Sequence, residues 1–243
     1  MFSQTILDFG RKPNVIRDLS AYAGRRKAEI GAEHVFDFSI GSPNVPPPPE
    51  VHAAMLDLLT HADPVEIHSY TAAPGLLSLR KTIAQSINRR FGDHVDESGI
   101  YVTAGASGAI AMALKGLTNP GDEVIIFTPH YMEYLIYTEA YGAKPVIVKT
   151  LPDSFQIDLP AFEAALTEKT RVVILNSPNN PSGVIYTKES LQALTDAMKA
   201  AEKRFGHAIY LLSDEPYREL AYDGVEVPYL MNDYDDTLVC YSY

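Results

Sequence analysis

The sequence contains a carboxylate whose position suits a buried cationic partner. Asp214 lies in the segment LSDEPYREL, directly after an apolar run that is typical of a buried strand. A carboxylate at the rim of a buried site needs a cation or hydrogen-bond donors, because burial otherwise raises its pKa. A protonated aromatic ring nitrogen would be one such cation, and Tyr217 could donate to an oxygen of the same ring. The alternative is that Asp214 caps the start of a helix.

The segment SPNNPSG is the most specific short pattern in the chain, and it follows the apolar run RVVILN. Its two prolines restrict the turn, and Gly183 allows the backbone to leave it. This arrangement predicts that the side-chain amide of Asn180 is presented into a cleft. A purely structural turn is the alternative, although so constrained a sequence is unusual after a buried strand.

A third segment, TAGASGAIAMAL, has the features of a phosphate-binding turn. We expect a strand to end near Ala104, Gly105 to make the turn, and a helix to start at Ala106 or Ser107. The free N–H groups of a helix start attract anions, Gly105 permits close approach of the backbone, and the Ser107 hydroxyl adds a donor. Small residues at this place also serve helix–sheet packing, so the segment alone allows both interpretations.

Several further residues indicate a function only in combination with the motifs described above. Tyr131 follows a predicted strand in FTPHYMEY and could stack on a flat ring, or it could simply pack at a helix start. Tyr70 in HSYTAAPG reads by itself as a loop tyrosine, and Gly41 in SIGSPN as a turn glycine. The histidines show no spacing typical of metal ligands, so we predict no metal site.

The elements that must position these residues alternate along the second part of the chain. Apolar runs typical of buried strands are separated by amphipathic or small-residue helices, which indicates an α/β fold of three layers, α/β/α, with a mostly parallel sheet. Ligands of such sheets bind beyond the carboxyl ends of the strands. The predicted strands are GIYVTA, DEVIIFT, PVIVKT, RVVILN, AIYLLS and TLVCYSY, and the predicted helices cover residues 107–117, 131–141, 159–166 and 188–205.

The first part of the chain is less regular. Residues 1 to about 36 are interpreted as an arm with a helical patch, and VFDFSIG (35–41) as a short strand. The proline run at 46–49 offers a crossing between domains, and helices are predicted at about 49–61 and 76–91. We therefore predict an N-terminal arm with part of a small domain over 1–47, and a large domain over 48–243.

Composition excludes several classes of partner. The 243 residues are 46% hydrophobic and carry a formal net charge of -11, which argues against nucleic acid or an anionic membrane, since both select clustered Lys and Arg. No apolar run reaches transmembrane length, and the N-terminus does not have the apolar stretch of a signal peptide. The single cysteine, Cys240, allows no internal disulfide. These features predict a cytoplasmic protein.

Taken in order, the short motifs resemble those of fold-type I aminotransferases of class I and II, which depend on pyridoxal 5′-phosphate. The resemblance runs from about residue 35 to the end and is carried by SIGSPN, YTAAPG, TAGAS, TPHY, SPNNPSG, SDEPY and YSY. It implies that the large domain is the cofactor-binding domain of this family. The combination of SPNNPSG with SDEPY is the most specific part.

Carried over residue by residue, the resemblance assigns roles around the cofactor. Asp214 would keep the ring nitrogen protonated, and Tyr217 and Asn180 would bond the 3′ oxygen. The ring would lie between Tyr131 and Pro216, and the phosphate would meet Gly105, Ala106, Ser107 and Ser242. Gly41 and Asn180 would bind the substrate carboxylate. Tyr70 would reach the phosphate of a second subunit, which implies a homodimer with a shared active site.

The resemblance also implies a reaction and a missing residue. An aminotransferase would move an amino group from an L-amino acid to a 2-oxo acid, with Asp214 and Tyr217 as its catalytic side chains in this chain. The family pattern reads Ser-aromatic-Ser-Lys, whereas YSY ends here at Tyr243, so the Schiff-base lysine would be the second residue beyond it. We therefore expect this chain alone not to transaminate.

Two other functions stay open at this point. A carbon–sulfur β-lyase would share nearly all of these residues, and release of pyruvate from cystathionine would distinguish it. A non-catalytic ligand-sensing domain is the second alternative, although the acidic charge and the absence of a basic helix-turn-helix pattern count against it. The side chain of the amino donor is not revealed by these motifs.

Overall fold

The computed structural model describes residues 2–11, 14–41 and 45–243, and the chain packs as two compact units. The first unit is Met1–Thr71 and the second is Ala72–Tyr243. The predicted division into domains at residue 47 stays a prediction, because these packing units describe contacts and not the domains of a whole protein. No helix in the described ranges is both long and apolar enough to cross a membrane.

The first unit is more helical than the sequence predicted. Its helices are α1 (Gln4–Arg11), α2 (Val15–Ile30), α3 (Pro49–His61) and α4 (Pro64–His68), with a short 3-10 helix at Ala32–His34. The predicted strand at 35–41 is wrong, since these residues form no strand. One reason is local: Asp37 accepts hydrogen bonds from the backbone N–H and the hydroxyl of Ser39, and such local bonds compete with strand pairing.

The second unit contains a parallel sheet with the strand order β2-β1-β3-β4-β5. Every neighbouring pair of these strands is parallel. The strands are β1 (Glu123–Thr128), β2 (Lys144–Lys149), β3 (Thr170–Asn176), β4 (Tyr210–Asp214) and β5 (Thr237–Cys240). The helices are α5 (Leu77–Phe91), α6 (Gly105–Leu117), α7 (Glu133–Ala140), α8 (Leu159–Ala165) and α9 (Lys188–Phe205). The predicted parallel sheet is confirmed.

Helices cover both faces of this sheet. Since side chains alternate along each strand, neighbouring residues of one strand pack on opposite faces. Val124 and Ile126 pack with α6 and α7 in one buried cluster. Ile125 and Phe127 pack with α8 and α9 in another. The predicted α/β/α arrangement of three layers is therefore confirmed.

One predicted strand, GIYVTA, is wrong. Its first residue ends a 3-10 helix at Glu97–Gly99, and residues 100–103 run without pairing to any described strand. A strand needs a hydrogen-bonded neighbour. Here a cavity of about 980 Å³ is lined both by these residues and by the edge strand β5. Helix α6 also begins at Gly105 rather than at residue 107.

The order of the strands predicts where a ligand would bind. β2 lies on one side of β1 and β3 lies on the other, so the chain changes direction between β1 and β3. In open α/β sheets, the loops that leave the carboxyl ends of two such strands diverge and leave a crevice. The loops after β1, β3 and β4 should therefore form the functional site.

Candidate active site

Asp214 is the last residue of β4, and it is almost completely buried. Its side chain is about 5% exposed, and the phenol of Tyr134, on α7, donates a hydrogen bond to Oδ2. The other carboxylate oxygen, Oδ1, is buried without a hydrogen-bond partner in the described structure. Burial raises the pKa of Asp214 from 3.8 to about 6, against the lowering effect of the Tyr134 hydrogen bond. The site therefore holds a carboxyl group with an unused oxygen, and a cation would satisfy it.

Asn176 joins two parts of the site, and the sequence did not predict this role. It is the last residue of β3 and lies beside Asp214 in the sheet. Its side-chain N–H donates to the backbone carbonyl of Asp214 at 2.8 Å, and its side-chain oxygen accepts from the backbone N–H of Asn180 at 2.6 Å. A polar residue at the end of the buried run RVVILN was the available signal. We call Asp214, Tyr134 and Asn176 the carboxylate end of the site.

The loop after β3 places Asn180 in the cavity wall. Its side-chain N–H donates to the hydroxyl oxygen of Tyr217 at 3.1 Å, so the loops after β3 and β4 meet there. The loop closes through a hydrogen bond from the backbone N–H of Gly183 to the carbonyl of Asn179 at 2.8 Å. Gly183 has a φ of 72°, a conformation that favours glycine.

The start of α6 forms the opposite end of the site, which we call the helix end and define as Gly105, Ala106, Ser107 and Ser242. No side chain caps this helix start. Gly105 has a φ of 74°, which favours glycine at the turn. The first N–H groups of a helix have no partner within it, so this end can donate to an anion.

Asp214 of the carboxylate end and all four residues of the helix end line one cavity of about 260 Å³. Tyr131 is half-buried in its wall, and its ring meets the ring of Tyr134 edge-on with centroids 5.6 Å apart. The structure brings most of the predicted cofactor-binding residues together around this cavity: Gly105, Ala106, Ser107, Tyr131, Asn180, Asp214, Pro216, Tyr217 and Ser242. Their roles stay predictions. Among the described residues that line the cavity there is no lysine.

Gly41 and Tyr70 belong to the first unit and are not among the residues that line this cavity. The side chain of Tyr70 is entirely exposed in the single chain. Gly41 is exposed and directly precedes residues 42–44, the last three residues of SIGSPN, which lie outside the described ranges. The predicted roles of both residues therefore stay predictions.

A buried ion pair holds the turn that follows Asp214. The guanidinium of Arg218 donates to the carboxylate of Glu215 at 2.5 Å. It also donates to the carbonyls of Val227 and Pro228, each at 2.7 Å. Both charged side chains are almost fully buried, so the pairing keeps neither charge alone in the interior. This ion pair fixes both ends of the short segment that carries Pro216 and Tyr217.

Known proteins share both the sequence and the fold of this chain. The family described as "Aminotransferase class I and II" matches residues 33–243. An aminotransferase structure from Eubacterium rectale is 39% identical, with a TM-score of 0.96, and the match covers 100% of this chain and 61% of that one. Aspartate aminotransferase of Thermotoga maritima is 35% identical over 78% of this chain and 48% of that protein.

A further relative shows how widely the substrates differ. Arginine–pyruvate transaminase of Pseudomonas aeruginosa is 34% identical over 85% of this chain and 50% of that protein. The chain thus spans about half the length of the curated relatives it matches. Since the family match covers most of the chain, including every residue around the cavity, the chain belongs to the class I and II aminotransferases.

Proposed function

We propose that this chain contributes the cofactor-binding cavity of a pyridoxal 5′-phosphate-dependent aminotransferase, which moves an amino group from an L-amino acid to a 2-oxo acid. Members of this family use that cofactor. One observation carries the proposal: the buried carboxylate of Asp214 leaves Oδ1 without a partner in the wall of the cavity. A pyridinium N–H is a cation and a donor, and it would meet both needs of this oxygen.

The residues present fit the cofactor at its other positions too. The uncapped start of α6, with the Ser107 and Ser242 hydroxyls, would hold the phosphate. Asn180 and Tyr217, already joined to each other, would donate to the ring oxygen. Tyr131 and Pro216 would lie against the two ring faces.

Each of these residues would have a defined role once the cofactor is bound. When bound, the cofactor withdraws electrons from the bonds at the α-carbon of the amino acid. Asp214 sustains this property by keeping the ring nitrogen protonated. Burial excludes water from the carboxylate, which strengthens its attraction for that proton. Asn180 and Tyr217 orient the ring, so that the reacting carbon faces the same direction in every turnover.

Removal of the α-proton needs a base, and we propose that a lysine outside the described cavity wall supplies it. The family pattern Ser-aromatic-Ser-Lys supports this proposal, since Ser242 and Tyr243 match its first two positions. We further propose a partner and a cellular location. A second copy of the chain would complete the site through Tyr70, whose exposed ring is available for such a contact, and the protein would work in the cytoplasm. Sedimentation of the purified chain tests the dimer.

Pyridoxamine 5′-phosphate is the best probe of the proposed site, because its amine cannot form imines with surface lysines. Equilibrium dialysis should show saturable binding with one molecule per chain. Asp214→Asn should weaken that binding by roughly 30-fold or more, since truncating one partner of a buried charge pair costs about 2–5 kcal/mol. Asp153→Asn makes the same charge change at an exposed position and should leave the affinity unchanged.

The reaction itself can be followed in the same mixture. With a 2-oxo acid and an external primary amine in place of the lysine, the wild-type chain should form the corresponding L-amino acid, and Asp214→Asn should not. Absence of saturable binding, or equal binding by the wild-type and Asp214→Asn proteins, would contradict the proposal.

A further inference from the structure

Tyr134 has a place in the site that the proposed function does not yet explain. It lies on the first turn of α7, is about 2% exposed, and packs with Val124, Ile126 and Leu114 in the core on one face of the sheet. Its hydroxyl is nevertheless turned to the carboxylate of Asp214. A buried phenol needs a hydrogen-bond partner, and a backbone carbonyl would serve that need equally well. The partner here is the carboxylate at the centre of the site.

The groups around Asp214 show why its carboxylate depends on this hydrogen bond. The titratable groups that face the carboxylate are Tyr134 from α7, Cys240 from β5, and Glu215 and Tyr217 from its own segment. The only charged group among them is Glu215, which is negative and already paired with Arg218. Among the described residues, Tyr134 alone donates to the carboxylate. Burial and Glu215 both raise the pKa of Asp214, and the phenol opposes them.

We propose, on the basis of the function proposed above, that Tyr134 is a positioning residue. Its hydroxyl holds Oδ2 of Asp214 and thereby leaves Oδ1 as the one oxygen free to meet a cationic ring nitrogen in the cavity.

The phenol is suited to this task because it keeps its proton. Burial, together with the negative charge of Asp214, raises the pKa of Tyr134 far above its ordinary value. The hydroxyl therefore stays a donor throughout the pH range in which Asp214 titrates. A donor of fixed protonation holds the carboxylate in one orientation whether or not a ligand is present.

The first test needs no cofactor. The carboxyl carbon of Asp214 is titrated by NMR in the wild type, in Tyr134→Phe and in Tyr234→Phe. Tyr234 is a matched control, since it is equally buried and its phenol donates to the backbone carbonyl of Ile209 at 2.6 Å. Tyr134→Phe should weaken the acidity of Asp214 about tenfold, the effect of losing one hydrogen bond to a charged group. Tyr234→Phe should leave it unchanged, and equal midpoints in all three proteins would overturn the proposal.

The second test uses pyridoxamine 5′-phosphate. Its affinity for Tyr134→Phe should be about tenfold lower than for the wild type at pH values below both Asp214 midpoints, and the difference should narrow as pH rises. A purely structural tyrosine would lower affinity equally at every pH. If the wild type itself fails to bind the probe, the proposed function fails, while the carboxyl titration still decides whether Tyr134 controls Asp214.

A measurement on the wild type covers the case in which Tyr134→Phe does not fold. The hydroxyl proton of Tyr134, protected by burial, is followed by NMR from about pH 4 to about pH 8. Its resonance should move with the same midpoint as the Asp214 carboxyl carbon. A resonance that stays constant through that midpoint would show that the phenol does not hold the carboxylate.

Discussion

The carboxylate end reaches the cavity through Asp214 and the helix end lines it directly, and the two ends differ in how the protein forms them. At the carboxylate end, every residue is buried and joined to its neighbours by hydrogen bonds within the protein. At the helix end, Gly105 and Ser242 are exposed and no side chain caps the helix. One end is completed by the strands and by α7, while the other is a set of donors open to solvent.

This difference shows which end of the site lowers the stability of the folded protein when no ligand is bound. A buried carboxyl group with an unused oxygen is unfavourable without a cation, whereas N–H groups at an exposed helix start are solvated by water. Substitutions at the carboxylate end should therefore change the stability of the protein by large amounts. Substitutions at the helix end should change ligand affinity by small amounts and stability hardly at all.

Asn176→Ala should have the largest effect on stability. It removes the partners of the Asn180 N–H and of the Asp214 carbonyl, and an unsatisfied buried group costs about 1–3 kcal/mol. Urea unfolding should show a loss of roughly 3 kcal/mol. Asn232→Ala, which removes one exposed hydrogen bond to the carbonyl of Phe91, should cost under about 1 kcal/mol. Equal losses of unfolding free energy in the two variants would show that the buried hydrogen bonds of the carboxylate end contribute no more to stability than an exposed one.

Asp214→Asn should stabilise the protein in the absence of ligand. The folded-state pKa of about 6 lies above the unfolded value of 3.8, so the folded chain binds the proton more tightly. The contribution of Asp214 to stability should therefore be greatest below about pH 4, fall as pH rises to about 6, and stay level above that. At about pH 7.5 the variant should gain on the order of 1–3 kcal/mol, since one pKa unit corresponds to about 1.4 kcal/mol.

The control for this effect is again Asp153→Asn at the surface, which should unfold at the wild-type urea concentration. Unfolding curves collected at about pH 4, 6 and 7.5 separate the two variants. A stability difference between the wild type and Asp214→Asn that stays constant from about pH 4 to 6 would contradict the buried state of Asp214 described above.

Ser107→Ala should have the smallest effect and mark the helix end. Its hydroxyl is one donor among several at the helix start, so its loss should weaken binding of pyridoxamine 5′-phosphate only about 3- to 10-fold, as for one ordinary hydrogen bond of about 1 kcal/mol. The midpoint of urea unfolding should stay within error of the wild type. A loss of affinity as large as that of Asp214→Asn would remove the distinction between the two ends.

The sequence predicted the sheet well because its strands are apolar runs, and β1, β3 and β4 are buried on both faces. DEVIIFT and RVVILN both form strands within one residue of the predicted bounds. GIYVTA has similar local character and still forms no strand, since pairing depends on a neighbour that local sequence does not specify. For VFDFSIG, the local bonds between Ser39 and Asp37 were not anticipated.

The site was predicted where a motif marks a turn, and missed where a residue acts through another. Asp214 directly follows one apolar run and Asn180 lies four residues beyond another, so their place near the carboxyl ends of strands could be expected. Tyr134 reads in sequence as a core tyrosine of a helix, and its contact with Asp214 spans 80 positions. Only the packing of α7 against the sheet brings the two together.

The buried ion pair between Arg218 and Glu215 has a consequence for the thermodynamics of ligand binding. The guanidinium lies over the rings of Phe91 and Tyr229, with 5.0 and 5.4 Å to their centroids, in addition to its ion pair and its two carbonyl partners. The segment bearing Tyr217 is thereby immobilised before any ligand arrives. Ordering a loop during association reduces affinity, and a segment that is already ordered avoids that entropic penalty. We therefore expect calorimetry to show that a ligand binds this cavity with only a small loss of conformational entropy of the chain.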